Sequence, residues 1–303
     1  MKQVGPERIA FIGIGNMGWP MAANLVRRGY DVTVADMDGA RVARFVAEFG
    51  CGGEADAAAA ARGRGVVIAI LPTSKQVATV AAAVKPVLAP GALFIDMTSG
   101  QPGATRGIAA DLATAGIAMI DCPVSGGVPR AVSGELAIMA GGETARLDEA
   151  EPILKAMGSS IHRCGGIGAG QAMKALNNLV SAGGFLIGIE ALLMGQKFGL
   201  DPGTMVDVLN AGSGMTNSSQ KKFKQFVLSR RFDSGFGLDL MVKDLSIALE
   251  VGRDGGVPAP LSALCRELWA AAAVSLGPGE DHTAVAKFSE HMAGTALGGG
   301  NSA

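Results

Sequence analysis

The stretch FIGIGNMGWPMAANL, Phe11 to Leu25, decides the fold. An apolar run beginning at Arg8 breaks at Gly13-x-Gly15-x-x-Gly18 and resumes with helical spacing. Three such glycines mean little alone, but between a strand and a helix each has a use. The first permits a tight turn, the second lets backbone approach a pyrophosphate, and the third lets helix and strand pack closely. The helix start supplies amides and partial positive charge for phosphates. The next strand, YDVTVAD, ends on Asp36. An acid about 20 residues past the glycines can accept hydrogen bonds from an adenosine ribose. The order predicts a dinucleotide site made of Gly13, Ile14, Gly15, Asn16, Met17, Gly18 and Asp36. A turn aspartate in a flavodoxin-like sheet is the alternative.

Outward from this stretch, strands and helices alternate. GVVIAILP, ALFIDMTS, GIAMIDCPV and ELAIMAGG read as further strands, with helices such as GARVARFVAEFG and ARLDEAEPILKAMG between or after them. Such alternation implies a parallel sheet with right-handed crossovers. The pattern stops near SSIHRCGGIGAG, and the rest reads as helices at 170–198, 202–211, 217–229, 238–254, 259–275 and 283–293. The expected fold is therefore an α/β Rossmann domain, 1–165, followed by an all-α domain, 166–303, opening with a long helix. The tail GGGNSA is expected to be disordered.

Composition bounds the function. The 303 residues carry a formal net charge of −1 with 17% charged residues, which gives no electrostatic reason to bind nucleic acid or an anionic membrane. Four scattered cysteines form no CxxC pair, and the three histidines have no metal-ligand spacing. The expectation is reduced thiols, no metal and a cytoplasmic protein. The start, MKQVGPERIAFIGIG, lacks signal-peptide architecture.

Two further segments carry chemistry. In DCPVSGGVPRAVSGELAIMAGG, Ser125, Gly126 and Gly127 follow a strand end. A hydroxyl and unhindered amides there suit a carboxylate, and a flexible turn is the alternative. The apolar helix GQAMKALNNLVSAGGFLIGIEALLMG carries Lys174 near its start. Burying a lone ammonium is costly. Lys174 and Asn178 share a face at i and i+4, with Asn177 and Ser181 close by. A lysine reaching from the helix start to water is the alternative.

Four blocks in order, FIGIGNMGWPMAANL, DCPVSGGVPRAVSGELAIMAGG, GQAMKALNN and MVKDLSIALE, together resemble the β-hydroxyacid dehydrogenase family of 3-hydroxyisobutyrate dehydrogenases and tartronate semialdehyde reductases. The resemblance spans Phe11 to Glu250. It departs at Pro129-Arg130, where many members have small residues, and NAGSGMTNSSQKKFKQF matches no one member. The resemblance implies hydride transfer between a 3-hydroxy acid and a nicotinamide cofactor. It implies Lys174 as catalytic acid/base; Ser125, Gly126, Gly127, Asn178 and Lys243 on the substrate; and Leu71, Pro72, Thr98, Ser99 and Lys243 at the cofactor. Burial and a second cation, Lys243, would both make the lysine less basic. Family members form dimers or tetramers, so a homo-oligomer is expected.

Asp36 can bond both ribose hydroxyls of NAD and repel the 2′-phosphate of NADP, with Asp38 adding charge and Arg41 partly compensating. NAD is therefore expected over NADP. Imine reductases share the two-domain plan but usually replace the lysine. Decarboxylating sugar-phosphate dehydrogenases need a cationic phosphate pocket, for which Arg130 is a candidate but no cluster is evident. A non-catalytic dinucleotide-binding scaffold is disfavoured by the retained lysine and the missing basic extension.

Overall fold

The structure, a computed structural model, describes residues 7–298. The expectations for the N-terminal leader and for most of the tail lie outside the described residues. Contacts divide the chain into two units, Met1–Lys174 and Ala175–Ala303.

Among its described residues the first unit holds nine strands: β1 (Arg8–Ile12), β2 (Asp31–Ala35), β3 (Gly52–Glu54), β4 (Val66–Ala69), β5 (Leu93–Asp96), β6 (Ala118–Asp121), β7 (Val124–Ser125), β8 (Ala137–Gly141) and β9 (Ser160–Gly165). They form one sheet in the order β3-β2-β1-β4-β5-β6-β8-β7, with β9 paired to β8. The order reverses between β1 and β4, and ligands of such sheets bind at that crevice. The apolar runs arise because both faces are covered. Ile9, Phe11, Val32, Val34, Ile68 and Ile95 enter one core, while Ala10, Ile12, Ala35, Val67, Ala69 and Phe94 enter the other.

Two expectations for this unit need correction. The strands from β3 to β6 are mutually parallel, but β8 runs antiparallel to β6 and β7. And the pattern does not stop at SSIHRCGG: residues 160–165 form β9, parallel to β8. That strand is mostly exposed or half-buried, so no apolar alternation marks it in the sequence. Its histidine and arginine suit a sheet edge.

The second unit is helical, and among its described residues no strand occurs. Its core gathers Phe185, Ile189 and Leu192 from the long helix Ala169–Phe198 with Leu245, Trp269 and Val285 from later helices. The long helix has the length and apolarity of a membrane span, and one face of it, with those three residues, is buried in the helical core. The expected helix 217–229 is instead a short α-helix, Asn217–Lys221, followed by a π-helical segment, Phe223–Leu228. All four cysteines are free thiols.

Candidate active site

At the end of β1, Gly13 has φ +93°, and a Cβ there would lie 2.4 Å from the Ile70 carbonyl oxygen just beyond β4. A Cβ on Gly18 would lie 1.9 Å from the Gly13 oxygen. These two glycines are steric requirements of the turn. Gly15 differs, since a Cβ there would meet nothing within 4 Å. The loop is open on that side, which leaves room for a ligand to approach close to the backbone. Among the described residues no side chain caps the helix Gly18–Arg27, and no acid sits in its first turn, so its N-terminal field remains available to an anion.

Asp36 lies just past β2. Its carboxylate accepts hydrogen bonds from the Ile14 and Asp38 amides, each at 2.9 Å, and from Arg41 Nη1 at 3.1 Å. Arg41 also reaches Asp38 at 3.4 Å. The acid therefore ties the glycine loop to the second strand. Met37, beside it, is fully exposed. A cleft of about 280 Å³ runs beside the loop, lined by Ile14, Gly15, Asn16, Arg41, Arg44 and Val128 among others. An open second glycine, an uncapped helix and an acid at the strand tip, all at the reversal of strand order, fit a dinucleotide.

Beyond β4, the Leu71 amide donates to Thr98 Oγ1 at 3.0 Å, joining two of the expected cofactor residues. Thr98 is buried, Leu71 and Ser99 half-buried and Pro72 exposed. The Thr98 amide donates to Asp96 at 3.0 Å. Ser125 ends β7, Gly126 and Gly127 are exposed, and both glycines have positive φ. A Cβ on Gly126 would lie 2.7 Å from Arg130 Cδ, so the arginine stem lies against the loop.

Lys174 is 8% exposed. It shares a helix face with Gln171 and Asn178, at spacings of three and four, and these are 1% and 7% exposed. The polar stripe is therefore buried, which contradicts the alternative of a lysine reaching into water. In the helical unit, Asn178 Nδ2 donates to Asp244 Oδ2 at 2.6 Å, and Lys243 Nζ lies 3.4 Å from Asp244 Oδ1. Asn178, Lys243 and Asp244 thus meet, although Asp244 had carried no role in the sequence reading.

Sequence reasoning also missed two buried acids. Asp96 and Asp121 end β5 and β6 at the same register. Burial raises the Asp96 carboxyl to about 7 and the Asp121 carboxyl to about 6, against partial opposition from their hydrogen bonds. The matching strand ends FID-M and MID-C were the available signal.

Comparison with known proteins places this geometry. Residues 8–166 match the family model for the NAD binding domain of 6-phosphogluconate dehydrogenase. Residues 168–289 match the model described as NAD-binding of NADP-dependent 3-hydroxyisobutyrate dehydrogenase. The 2-(hydroxymethyl)glutarate dehydrogenase of Eubacterium barkeri is 38% identical, over 97% of this chain and 98% of that protein. The 3-hydroxyisobutyrate dehydrogenase of Pseudomonas aeruginosa is 37% identical, over 86% and 90%. Among solved structures, the Mycobacterium tuberculosis 3-hydroxyisobutyrate dehydrogenase with L-serine is similar with a TM-score of 0.87 and 32% identity, covering 93% of this chain and 99% of that one. With both units matched and the glycine loop, VSGG segment and buried lysine in place, the chain belongs to the β-hydroxyacid dehydrogenase family, oxidoreductases that transfer hydride between a hydroxy acid and a nicotinamide cofactor.

Proposed function

We propose that this protein is an NAD-preferring 3-hydroxy acid dehydrogenase in which Lys174 is the general acid/base. The observation that carries the reading is the burial of Lys174 on a polar stripe between Gln171 and Asn178. Oxidising an alcohol requires loss of the hydroxyl proton, and a base within hydrogen-bond reach accepts it. Burial disfavours the charged form of an amine, so desolvation suits the lysine to that task. In the reverse direction its ammonium returns the proton. The bound nicotinamide supplies the hydride chemistry.

Ser125 and the exposed amides of Gly126 and Gly127 hold the substrate carboxylate. The Asn178 amide has two protons; Asp244 takes one, and the second serves the substrate, with Lys243 beside it. Gly13 to Gly18 receive the pyrophosphate and Asp36 the ribose, with Leu71, Pro72, Thr98 and Ser99 toward the nicotinamide side. Asp36 and Asp38 both engage Arg41, which weakens its hold on a 2′-phosphate and favours NAD. The test is Lys174→Ala, expected to bind cofactor normally and lose turnover about a hundredfold or more. Lys174→Arg should not restore it, because guanidinium stays protonated. Near-normal turnover of the alanine variant would overturn the assignment.

A finer reading of the substrate is favoured by Arg130, whose stem lies against Gly126: a 3-hydroxy acid with a second acidic group. The relative from Eubacterium barkeri is named for a dicarboxylate. A panel of mono- and dicarboxylic 3-hydroxy acids tests it, and Arg130→Gln should cost the dicarboxylates selectively. We also place the protein in the cytoplasm as a homo-oligomer. Val180, Ile187, Met194 and Phe198 form an exposed apolar row along the long helix. Light scattering on the wild type and Ile187→Lys tests whether a second copy covers that row.

A further inference from the structure

We propose that Asp96, Asp121 and Gln171 form a buried clamp that positions the first turn of the helix bearing Lys174 on the carboxyl ends of β5 and β6. The proposal rests on the reading of Lys174 as the acid/base group. Asp121 grips the backbone at the helix start. Its Oδ1 accepts from the Gly168 amide at 2.7 Å and its Oδ2 from the Gln171 amide at 2.8 Å. An acid in that place also meets the positive end of the helix.

Gln171 adds a side-chain bridge. Its Oε1 accepts from the Gly100 amide at 2.7 Å, and its Nε2 donates to Asp96 Oδ2 at 3.3 Å. Asp96 in turn accepts from the Thr98 amide, and Thr98 accepts from the Leu71 amide. One continuous network therefore runs from two expected cofactor residues to the helix turn that precedes Lys174. The approach is tight, because a Cβ on Gly170 would lie 2.2 Å from the Met139 oxygen and 2.8 Å from Asp121 Oδ2. Lys174 follows Gln171 by one turn on the same face, so a shift of this turn moves the lysine. Misplacing a reacting group by about 1 Å can cost a hundredfold in rate.

Lys174 lies one turn along the same face; the other titratable or charged groups near the clamp are Cys122 beside Asp121, Cys164 on β9 and Arg106, whose Nη1 would be 3.3 Å from a Cβ on Gly168. None of them bridges Gln171 and Asp96.

The test uses the full-length protein with Gln171→Met and Gln171→Glu, and Lys174→Ala as reference. Gln171→Met keeps length and removes both side-chain bonds. It should bind dinucleotide within about twofold of wild type and lose about tenfold or more in kcat, with a smaller change in the KM for hydroxy acid. Gln171→Glu can still accept from Gly100 and share a proton with Asp96. Its kcat should approach wild type near pH 6 and fall away as pH rises past about 7, where two neighbouring carboxylates cannot both stay charged without repulsion. Should the methionine variant not fold, the pH-dependent ratio of the glutamate variant to wild type carries the test. Wild-type kcat in Gln171→Met, or a constant ratio for Gln171→Glu across about pH 6–9, overturns the clamp while leaving the lysine reading intact. Near-normal turnover of Lys174→Ala overturns both.

Discussion

Asn178 and Asp244, 66 positions apart, meet at 2.6 Å inside the helical unit, both buried. The contact fixes which way the asparagine amide faces, since its Oδ1 also accepts from Asn177 Nδ2 at 3.2 Å. A hydrogen bond to a charged partner contributes about 1.5–3 kcal/mol. Asp244→Asn should therefore lower kcat/KM for the hydroxy acid by about ten- to a hundredfold. Steady-state kinetics beside a dinucleotide titration checks this, the cofactor affinity being expected to hold.

The proposed preference for NAD rests on Asp36, Asp38 and Arg41. The arginine is occupied by both acids at 3.1 and 3.4 Å, so it does not present its full charge to a 2′-phosphate. Repulsion between like charges at about 4 Å runs from roughly 1 to 4 kcal/mol, depending on screening. Wild type should favour NAD over NADP by at least about tenfold in kcat/KM. Asp36→Ala with Met37→Arg should narrow or reverse the ratio. A wild-type preference for NADP in parallel assays would mean that Arg41 or Arg44 outweighs the acids.

The buried acids make stability depend on pH. Folding raises Asp96 from 3.8 to about 7 and Asp121 from 3.8 to about 6. Between those limits the unfolded chain has released protons that the folded chain keeps, so stability falls as pH rises from about 4 to 7, then levels off. Each unit is worth about 1.4 kcal/mol, so Asp96 alone contributes on the order of a few kcal/mol. Urea unfolding of wild type and Asp96→Asn at several pH values isolates it, and the variant should show the shallower slope. Equal slopes would mean that Asp96 is ionised throughout.

Gly170→Ala places a methyl group 2.2 Å from the Met139 oxygen. Overpacking of this kind costs about 1–3 kcal/mol. The melting temperature should drop and turnover should fall further than stability alone explains. A variant with wild-type melting and kcat would show that the helix start can yield.

Ser125 and its glycines are expected to read a carboxylate. Substrates amidated or reduced at that group should react poorly, and Ser125→Ala should weaken turnover far more than cofactor binding. Equal rates on 3-hydroxy acids and the matching simple alcohols would remove the carboxylate site.

The sequence by itself determined what is local. Gly13, Gly15 and Gly18 announce the loop because turn sterics act over a few residues, and the Lys174–Asn178 stripe is legible because helical periodicity is short. Two apolar faces wrote the strands of the first half as continuous apolar runs. What depends on distant partners was left to the tertiary structure. β9 carries no apolar pattern since it is mostly exposed or half-buried at the side of β8. The antiparallel direction of β8 depends on how the chain returns to the sheet, which no single residue encodes. Asp96 and Asp121 look like ordinary strand-end turn residues until the β5–β6 register sets them level. Asp244 is one acid among many until folding brings it to Asn178. A hydrogen bond across dozens of residues leaves no spacing to read, because only the packed chain sets the distance between its ends.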